Sequence, residues 1–340
     1  MVSQNDVAKK AGVSNAVVSY VINNGPRKTS PETRQKVLAA IKELGYRKNN
    51  VARSLKTNTS NVIGLIIPDS SNAFFSEVAK GIEDEVYRQG YTLMFGNSGS
   101  SLDRQENYIE TFISQLVDGI IFLTTPLPEE HQSLFQIYNI PAVLIDPEIP
   151  YLENQVSDLH LVAVDSEKGG FTAGEYLVSE GHKHMTIIAG KEEVPPGTYR
   201  VEGFRRALRQ SGMNAHVVWA GEHAEDGFRE AKALLGSDNP PSAIFACNDL
   251  LAFGVLRAAC DLSINVPDRL AVVGFDDINM ANYSCPRLTT IRQPKYEMGQ
   301  AAAKVLINKI KLGKEESQGD ISEESTLLKL DTELIIRESA

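Results

Sequence analysis

Cysteine is scarce in this chain. There are three in 340 residues, Cys247, Cys260 and Cys285, an odd number with no CxxC spacing. That excludes a disulfide scaffold or a cysteine-built zinc site and points to a reducing compartment. Cys247 and Cys260, within apolar segments, read as small buried hydrophobes. No apolar run reaches the roughly 18 residues that a membrane span needs. The first 25 residues put polar Ser3, Gln4, Asn5 and Asp6 where a signal peptide has its basic-then-apolar order, so a cytoplasmic location is expected. GxGxxG, GxxxxGK[ST], GxSxG and HExxH are all missing, and the glycine cluster Gly169-Gly170-Phe171-Thr172-Ala173-Gly174 lacks dinucleotide spacing. His182 and His184 sit two apart with no further ligand nearby and read as turn histidines. No cofactor, metal or catalytic constellation is therefore expected. Positive charge is also in deficit. With 34 Lys and Arg against 44 Asp and Glu, the net charge of −10 argues at face value against a nucleic-acid partner.

What is present reverses that last point. Residues 1–60 hold eleven Lys and Arg but only three acids, a net of +8, which leaves −18 on residues 61–340. A basic segment on an acidic body suggests a nucleic-acid-binding arm, although a solvated basic face would look the same. The rest of the composition, 42% apolar and 23% charged, is that of a folded globular chain. A length of 340 residues, at roughly 150 per domain, suggests two to three domains.

The basic segment reads as three short helices. Ser3 caps the first, with Asp6 completing a capping box, Val7, Ala8 and Ala11 inward, and Gly12 as the stop. Ser14 caps the second, which turns Val18, Val21 and Ile22 inward and Asn15, Ala16, Ser19 and Tyr20 outward. After the breaker Asn23-Asn24-Gly25-Pro26, a third helix starts at Ser30-Pro31-Glu32, buries Val37, Leu38, Ile41 and Leu44, and stops at Gly45. Helix, glycine turn, helix is a helix-turn-helix arrangement, whose second helix enters the major groove. Residues 49–57 have too little apolar surface to fold alone. They read as a plain linker, or as a helix that orders only on DNA with Leu55 wedged into a minor-groove step.

Asp6-Val7-Ala8…Ala11-Gly12-Val13-Ser14…Val18-Ser19…Val21-Ile22-Asn23, followed by Ser30-Pro31-Glu32-Thr33-Arg34, Leu44-Gly45-Tyr46 and Ala52-Arg53-Ser54-Leu55, resembles the LacI/GalR family of bacterial transcription regulators along nearly the whole chain. The resemblance implies a helix-turn-helix headpiece over 1–48, a hinge helix and linker over 49–60, and an effector-binding and dimerisation core over 61–340. It further implies a homodimer on a roughly palindromic operator and a DNA contact set of Ser3, Asn5, Ser14, Asn15, Ala16, Ser19, Tyr20, Asn23, Ala52, Arg53 and Leu55. Of these, Asn5, Ser14 and Arg53 suit phosphate positioning better than base reading. Three departures stand out. Tyr20 replaces a long polar residue and cannot make Arg's bidentate guanine contact. Lys48 replaces the proline before the hinge, and Ala73 replaces another common proline.

From residue 62 on, apolar runs alternate with helical patterns. The strand candidates are 62–68, 91–97, 119–124, 142–146, 161–165, 185–190, 217–220, 243–248, 270–276 and 289–293, with a final segment over 327–337. This predicts an α/β core of parallel sheets covered on both faces, which the resemblance specifies as a periplasmic-binding-protein-like core of two lobes. The lobes are expected at about 61–161 with 292–323 and about 162–291 with 324–340, crossing near 162, 291 and 323. Asp146, Asp165, Asp249 and Asp276 each fall at or just after a strand end, where open parallel sheets bind ligands and where an Asp also caps the next helix; Asp165 is the clearest cap. Asp276 and Asp277, as strand neighbours, point to opposite faces. By resemblance the effector contacts are Phe74, Phe75, Thr124, Asp146, Arg200, Glu222, Asn248 and Asp276. Glu222, where relatives carry an aromatic, favours a hydroxyl-rich or amine-bearing ligand. A sugar effector of a repressor is the leading expectation. A purine-like corepressor or a protein partner is the alternative, and a solute-binding protein without DNA function a remote one. The tail after Arg337 is too short for an extra oligomerising helix, so a plain dimer is expected.

Overall fold

A computed structural model describes residues 2–23, 29–47, 59–123, 127–146, 160–192, 196–315 and 327–340. The chain divides into two compact units, 1–60 and 61–340. In the first unit, α1 (Gln4–Ala11) begins at the Ser3–Asp6 capping box and ends at Gly12 in the left-handed conformation. Helices α2 (Asn15–Asn23) and α3 (Pro31–Leu44) follow. Val7, Ala8, Val18, Val21, Val37 and Ala40 form the small core, with Ala11, Ile22, Ile41 and Leu44 packed around it. Leu38 was expected inside but is 46% exposed. The buried stripe runs Val37, Ala40, Ile41, Leu44, and at 100° per residue Leu38 falls off it.

The described residues of the second unit hold two six-stranded sheets. The first contains β1 (Val62–Ile67), β2 (Thr92–Asn97), β3 (Gly119–Leu123), β4 (Ala142–Ile145), β5 (His160–Val164) and β11 (Leu327–Leu330), in the all-parallel order β11-β5-β4-β3-β1-β2. The second contains β6 (Met185–Ala189), β7 (His216–Trp219), β8 (Ala243–Ala246), β9 (Ala271–Asp276), β10 (Thr289–Arg292) and β12 (Glu333–Ile335), in the order β12-β10-β9-β8-β6-β7. Its pairs are parallel except β10–β12, which is antiparallel.

Each sheet carries a helix pair on both faces, as continuous apolar strands require. Helices α4 (Ala73–Arg88) and α11 (Lys295–Glu315) cover one face of the first sheet, and α5 (Leu102–Ser114) and α6 (Glu129–Tyr138) the other. Helices α7 (Ser166–Ser179) and α8 (Gly197–Gln210) cover one face of the second, and α9 (Ala224–Leu235) and α10 (Asp249–Asp261) the other. Three of these pairs are knitted by reciprocal glycines. A Cβ at Gly170 would collide with the Arg200 carbonyl and one at Gly203 with that of Glu167; Gly81 and Gly299 do the same for α4 and α11, and Gly227 and Gly254 for α9 and α10. The glycines of the 169–174 cluster thus serve helix packing.

The chain passes between the sheets three times. The first passage follows β5, so residues 162–164 belong to the first sheet and the expected crossing near 162 lies slightly later. The second is at Gln293-Pro294, between β10 and α11. The third is at Asp331-Thr332, not near 323, because the final segment over 327–337 divides into two strands: β11 pairs β5 in one sheet and β12 pairs β10 in the other. The tail after Arg337 is docked: Ser339 is fully buried, donating to the Val272 carbonyl and accepting from Thr289 N. Cys247 is buried as expected, but Cys260 is exposed, at the solvent-facing end of α10. No helix among the described residues is long and apolar enough to cross a membrane.

Candidate ligand cavity and nucleic-acid interface

In the first unit, the capping residues define the outward face of α2. Ser3 both accepts from Asp6 N and donates to its carboxylate, so its hydroxyl is committed to α1. Ser14 Oγ accepts from Val17 N at 3.4 Å. The Asn15 amide donates to Asn5 Oδ1, which brings these two expected DNA contacts together at the starts of α1 and α2. Asn15 and Ala16 are exposed, and Ser19 and Tyr20 half-buried. Lys9 and Lys10 lie in the last turn of α1, where cations complement the helix dipole. Lys10 also pairs with Glu43 at 2.6 Å, tying α1 to α3. Ala52, Arg53 and Leu55, with hinge residues 49–58, lie outside the described residues, as do Lys48 and the side chain of Asn23.

In the second unit, a cavity of about 660 Å³ opens beyond the carboxyl ends of the strands and is lined by segments of both sheets. Seven of the eight expected effector residues line it: Phe74, Phe75, Asp146, Arg200, Glu222, Asn248 and Asp276. The eighth, Thr124, lies outside the described residues. Phe74 and Phe75 begin α4, whose first turn is fixed by the Asn72 side chain accepting from Phe74 N. Their rings meet edge to face, 5.3 Å between centroids. Ala73 is the first helical residue, a position that tolerates proline but does not require it.

The polar centre is Arg200 on α8, only 6% exposed. It donates to the Cys247 carbonyl at 2.6 Å, lies 3.5 Å from Asp276 Oδ1, and stacks over the Phe275 ring at 3.9 Å. Its Nε is buried and has no protein partner. Asp276, at the end of β9, accepts from Gln293 Nε2 at 2.7 Å. Asp146, after β4, is buried, and its Oδ2 meets no protein donor. Both aspartates hold left-handed backbone angles, φ 115° for Asp276 and 53° for Asp146, conformations that cost energy and concentrate at functional sites. Burial pushes the Asp146 carboxyl up to about 6, with Arg200 pulling the other way; burial does the same for Asp276, again to about 6. Behind them Asp249 accepts from Thr290 Oγ1 at 2.6 Å and Ile278 N at 2.8 Å, and burial together with the Asp276 charge holds its carboxyl well above the usual range. Burial also lifts the Cys247 thiol to about 12, which leaves it inert.

The strand-end carboxylates divide by role. Asp165 caps α7, accepting from Lys168 N. Asp249 is the first residue of α10, whose cap is Asn248. Asn248 therefore lines the cavity while capping α10, accepting from Leu251 N and donating one amide N–H to the Glu222 carbonyl at 3.1 Å. Asp277 lies just past the end of β9 with φ 52°, so strand alternation does not govern it; its partners differ from those of Asp276, a buried pair with Arg337 at 2.6 Å and a second with Arg292 at 2.7 Å. His182 and His184 bond Ser242 and the Pro240 carbonyl. Among the described residues no metal-ligating cluster forms. The sequence did not single out Gln105, Lys191, His223 or Asp226, which also line the cavity. Gln105 is buried on α5 and bonded to His131; Lys191 sits on a loop, and His223 and Asp226 form the cap and first turn of α9, where no apolar periodicity marks them.

Two family models match the chain: bacterial regulatory proteins of the lacI family over residues 4–49 and a periplasmic binding protein-like domain over 175–340. The HTH-type transcriptional repressor PurR of Vibrio vulnificus is 34% identical over 100% of this chain and 98% of its own length. The chain belongs to the lacI family of bacterial regulatory proteins. Among solved structures, a lac repressor dimer bound to operator and the anti-inducer ONPF is 26% identical, covers 99% of this chain and 98% of its own, and has a TM-score of 0.84. The transcriptional regulator CelR–cellobiose complex is 27% identical over 100% of both chains, with a TM-score of 0.73. As a lacI-family member this chain is a DNA-binding transcriptional regulator and not an enzyme.

Proposed function

We propose that this lacI-family regulator is a cytoplasmic repressor that binds a palindromic operator as a homodimer and is switched by a sugar held between its two sheets. Helix α2 would enter the major groove of each half-site with Asn15, Ala16 and Tyr20 toward the bases. Ser14, Asn5 and Arg53 would position phosphates, and Leu55 of the 49–60 hinge would open the central step. The observation that carries the effector reading is the polar centre of the cavity. Asp146 Oδ2 and Arg200 Nε are a buried acceptor and a buried donor with no protein partner, and Phe74 and Phe75 stand at the same cavity. Vicinal hydroxyls offer both a donor and an acceptor, and a sugar's apolar face suits an aromatic ring. Relatives named PurR raise the alternative of a purine-like corepressor. Against it, the second sheet's side of the cavity presents Lys191, Glu222, His223 and Asp226, a largely charged wall that suits hydroxyl and charged groups better than the faces of a flat base.

Two measurements test this. Fluorescence anisotropy on operator-containing duplexes should show tight binding by the full chain and its loss in Ala16→Glu, which sets a carboxylate against DNA phosphates. Unchanged affinity would refute the placement of α2. A thermal-shift screen of sugars, hypoxanthine and guanine should find a sugar that raises the unfolding midpoint by linkage, with Arg200→Ala abolishing the rise. A rise from a nucleobase alone would replace the sugar reading.

A further inference from the structure

The charge balance of the cavity narrows the effector further, on the footing that the cavity is the effector site. Four carboxylates line it against two cations, Lys191 and Arg200. Two of the four are paired: Asp276 lies beside Arg200, and Asp226 lies 3.1 Å from Arg229 while accepting from His223 N. Among the described residues Asp146 and Glu222 have no ion-pair partner, and they come from different sheets, after β4 and after β7 respectively. Asp146 is nine-tenths buried and its Oδ2 meets no donor. Glu222 is held in place by its carbonyl, which accepts from Asn248, and by its side chain lying against Gly190, where a Cβ would stand 3.2 Å from Glu222 Cγ.

These two carboxylates differ in what they can accept. Asp146 lies within the field of Arg200, which repels a second cation but leaves a hydroxyl donor welcome. Glu222 is exposed, so a cation that meets it keeps water on its other side and avoids the desolvation a buried ammonium suffers. We propose that the effector is a polyhydroxyl compound carrying a primary amine, an amino sugar, with its ammonium paired by Glu222 and its hydroxyls bonded by Asp146, Arg200 and Asp276. The same lining disfavours sugar phosphates, since its four carboxylates outnumber its two cations and two of those carboxylates are unpaired among the described residues.

The test is a thermal-shift titration of the full chain. The probes are glucosamine, galactosamine and mannosamine, each compared with its parent hexose, its N-acetyl derivative and its 6-phosphate. One amine should raise the midpoint at a concentration at least about tenfold below its parent hexose, the worth of one hydrogen bond to a charged group. The N-acetyl and phosphate forms should lose that advantage. Glu222→Gln, an exposed and isosteric change, should leave the unliganded midpoint unchanged and bring amine and parent hexose to parity while the hexose still acts. A parent hexose as effective as its amine, an amine preference that survives Glu222→Gln, or a panel in which no amine acts would overturn the proposal. A hexose response that disappears in Arg200→Ala would still uphold the sugar-binding site when the amine fails. A response to hypoxanthine or guanine alone would remove both.

Discussion

Replacing Asp146 by asparagine should stabilise the ligand-free protein, and the size of the gain follows from the site. The carboxyl is 4% exposed, one oxygen has no partner, and its value rises from 3.8 to about 6 because burial outweighs the attraction of Arg200. The native state therefore holds its proton up to about pH 6, whereas the unfolded chain releases it near 3.8. Between these values unfolding releases a proton, so stability falls as pH rises, and above 6 the full cost remains. Two tenfold steps in proton affinity amount to about 3 kcal/mol. Asparagine keeps the shape, tolerates the left-handed backbone at φ 53°, and carries no charge to desolvate. At pH 8 Asp146→Asn should raise the core's unfolding midpoint by about 5 °C, given the entropy of unfolding of a unit of this size. The gain should shrink as pH is lowered through 6 toward 3.8. The assay is thermal denaturation of the full chain, without ligand, at a series of pH values. A variant no more stable than the parent at pH 8, or a gain that ignores pH, would refute the desolvation argument. Sugar affinity should fall in the same variant, since the acceptor is weakened.

Other perturbations separate packing from recognition. Gly170→Ala sets a methyl against the Arg200 carbonyl between α7 and α8, so a loss of about 1–3 kcal/mol in urea unfolding should accompany weaker ligand binding; stability lost with affinity intact would show that Arg200 does not move. Arg337→Ala leaves Asp277 buried with only Arg292 beside it, and the core should lose about 3–5 kcal/mol, a cost that a urea midpoint equal to the parent's would contradict. Val18→Ala, in a headpiece core of six buried residues, should cost about 2 kcal/mol and lower DNA affinity while the ligand-induced midpoint shift stays the same.

The legible parts of this chain are those where backbone geometry leaves few choices. Ser3, Gly12, Ser30 and Gly45 mark helix ends through hydrogen bonds and left-handed angles that few residues supply, and α1 and α3 end on them. Strand ends marked Asp146, Asp165, Asp249 and Asp276 alike; the resemblance picked out Asp146, Arg200 and Asp276, and these three line the cavity. Less visible was whatever depends on partners distant in sequence. Leu38 and Cys260 are apolar by type and exposed by rotation about their helices, a difference of one residue in register. The segment 327–337 alternates weakly, and only pairing with β5 and β10 shows that it serves both sheets. Asn248 matches a contact position and also caps α10 with its amide oxygen, a second role that the sequence did not assign it. Lys191, on the loop after β6, and Asp226, in the first turn of α9 after β7, approach the cavity only because the ends of different strands converge there.

The same unmet groups that cost stability make the cavity able to respond. A ligand shifts a conformational equilibrium only through interactions that differ between the states. Here the acceptor Asp146 follows a strand of the first sheet, while the donor Arg200 and its partner Asp276 belong to the second, and the chain passes between the sheets at 165, 293 and 331–332. A ligand that satisfies Asp146 Oδ2 and Arg200 Nε together must therefore touch both sheets at once, so its affinity depends on their spacing. Two hydrogen bonds to charged groups contribute about 3–6 kcal/mol. Taking an equilibrium from 1:99 to 99:1 requires about 5.5 kcal/mol. A protein that had already satisfied those two atoms internally would be more stable and would have nothing left for a ligand to change.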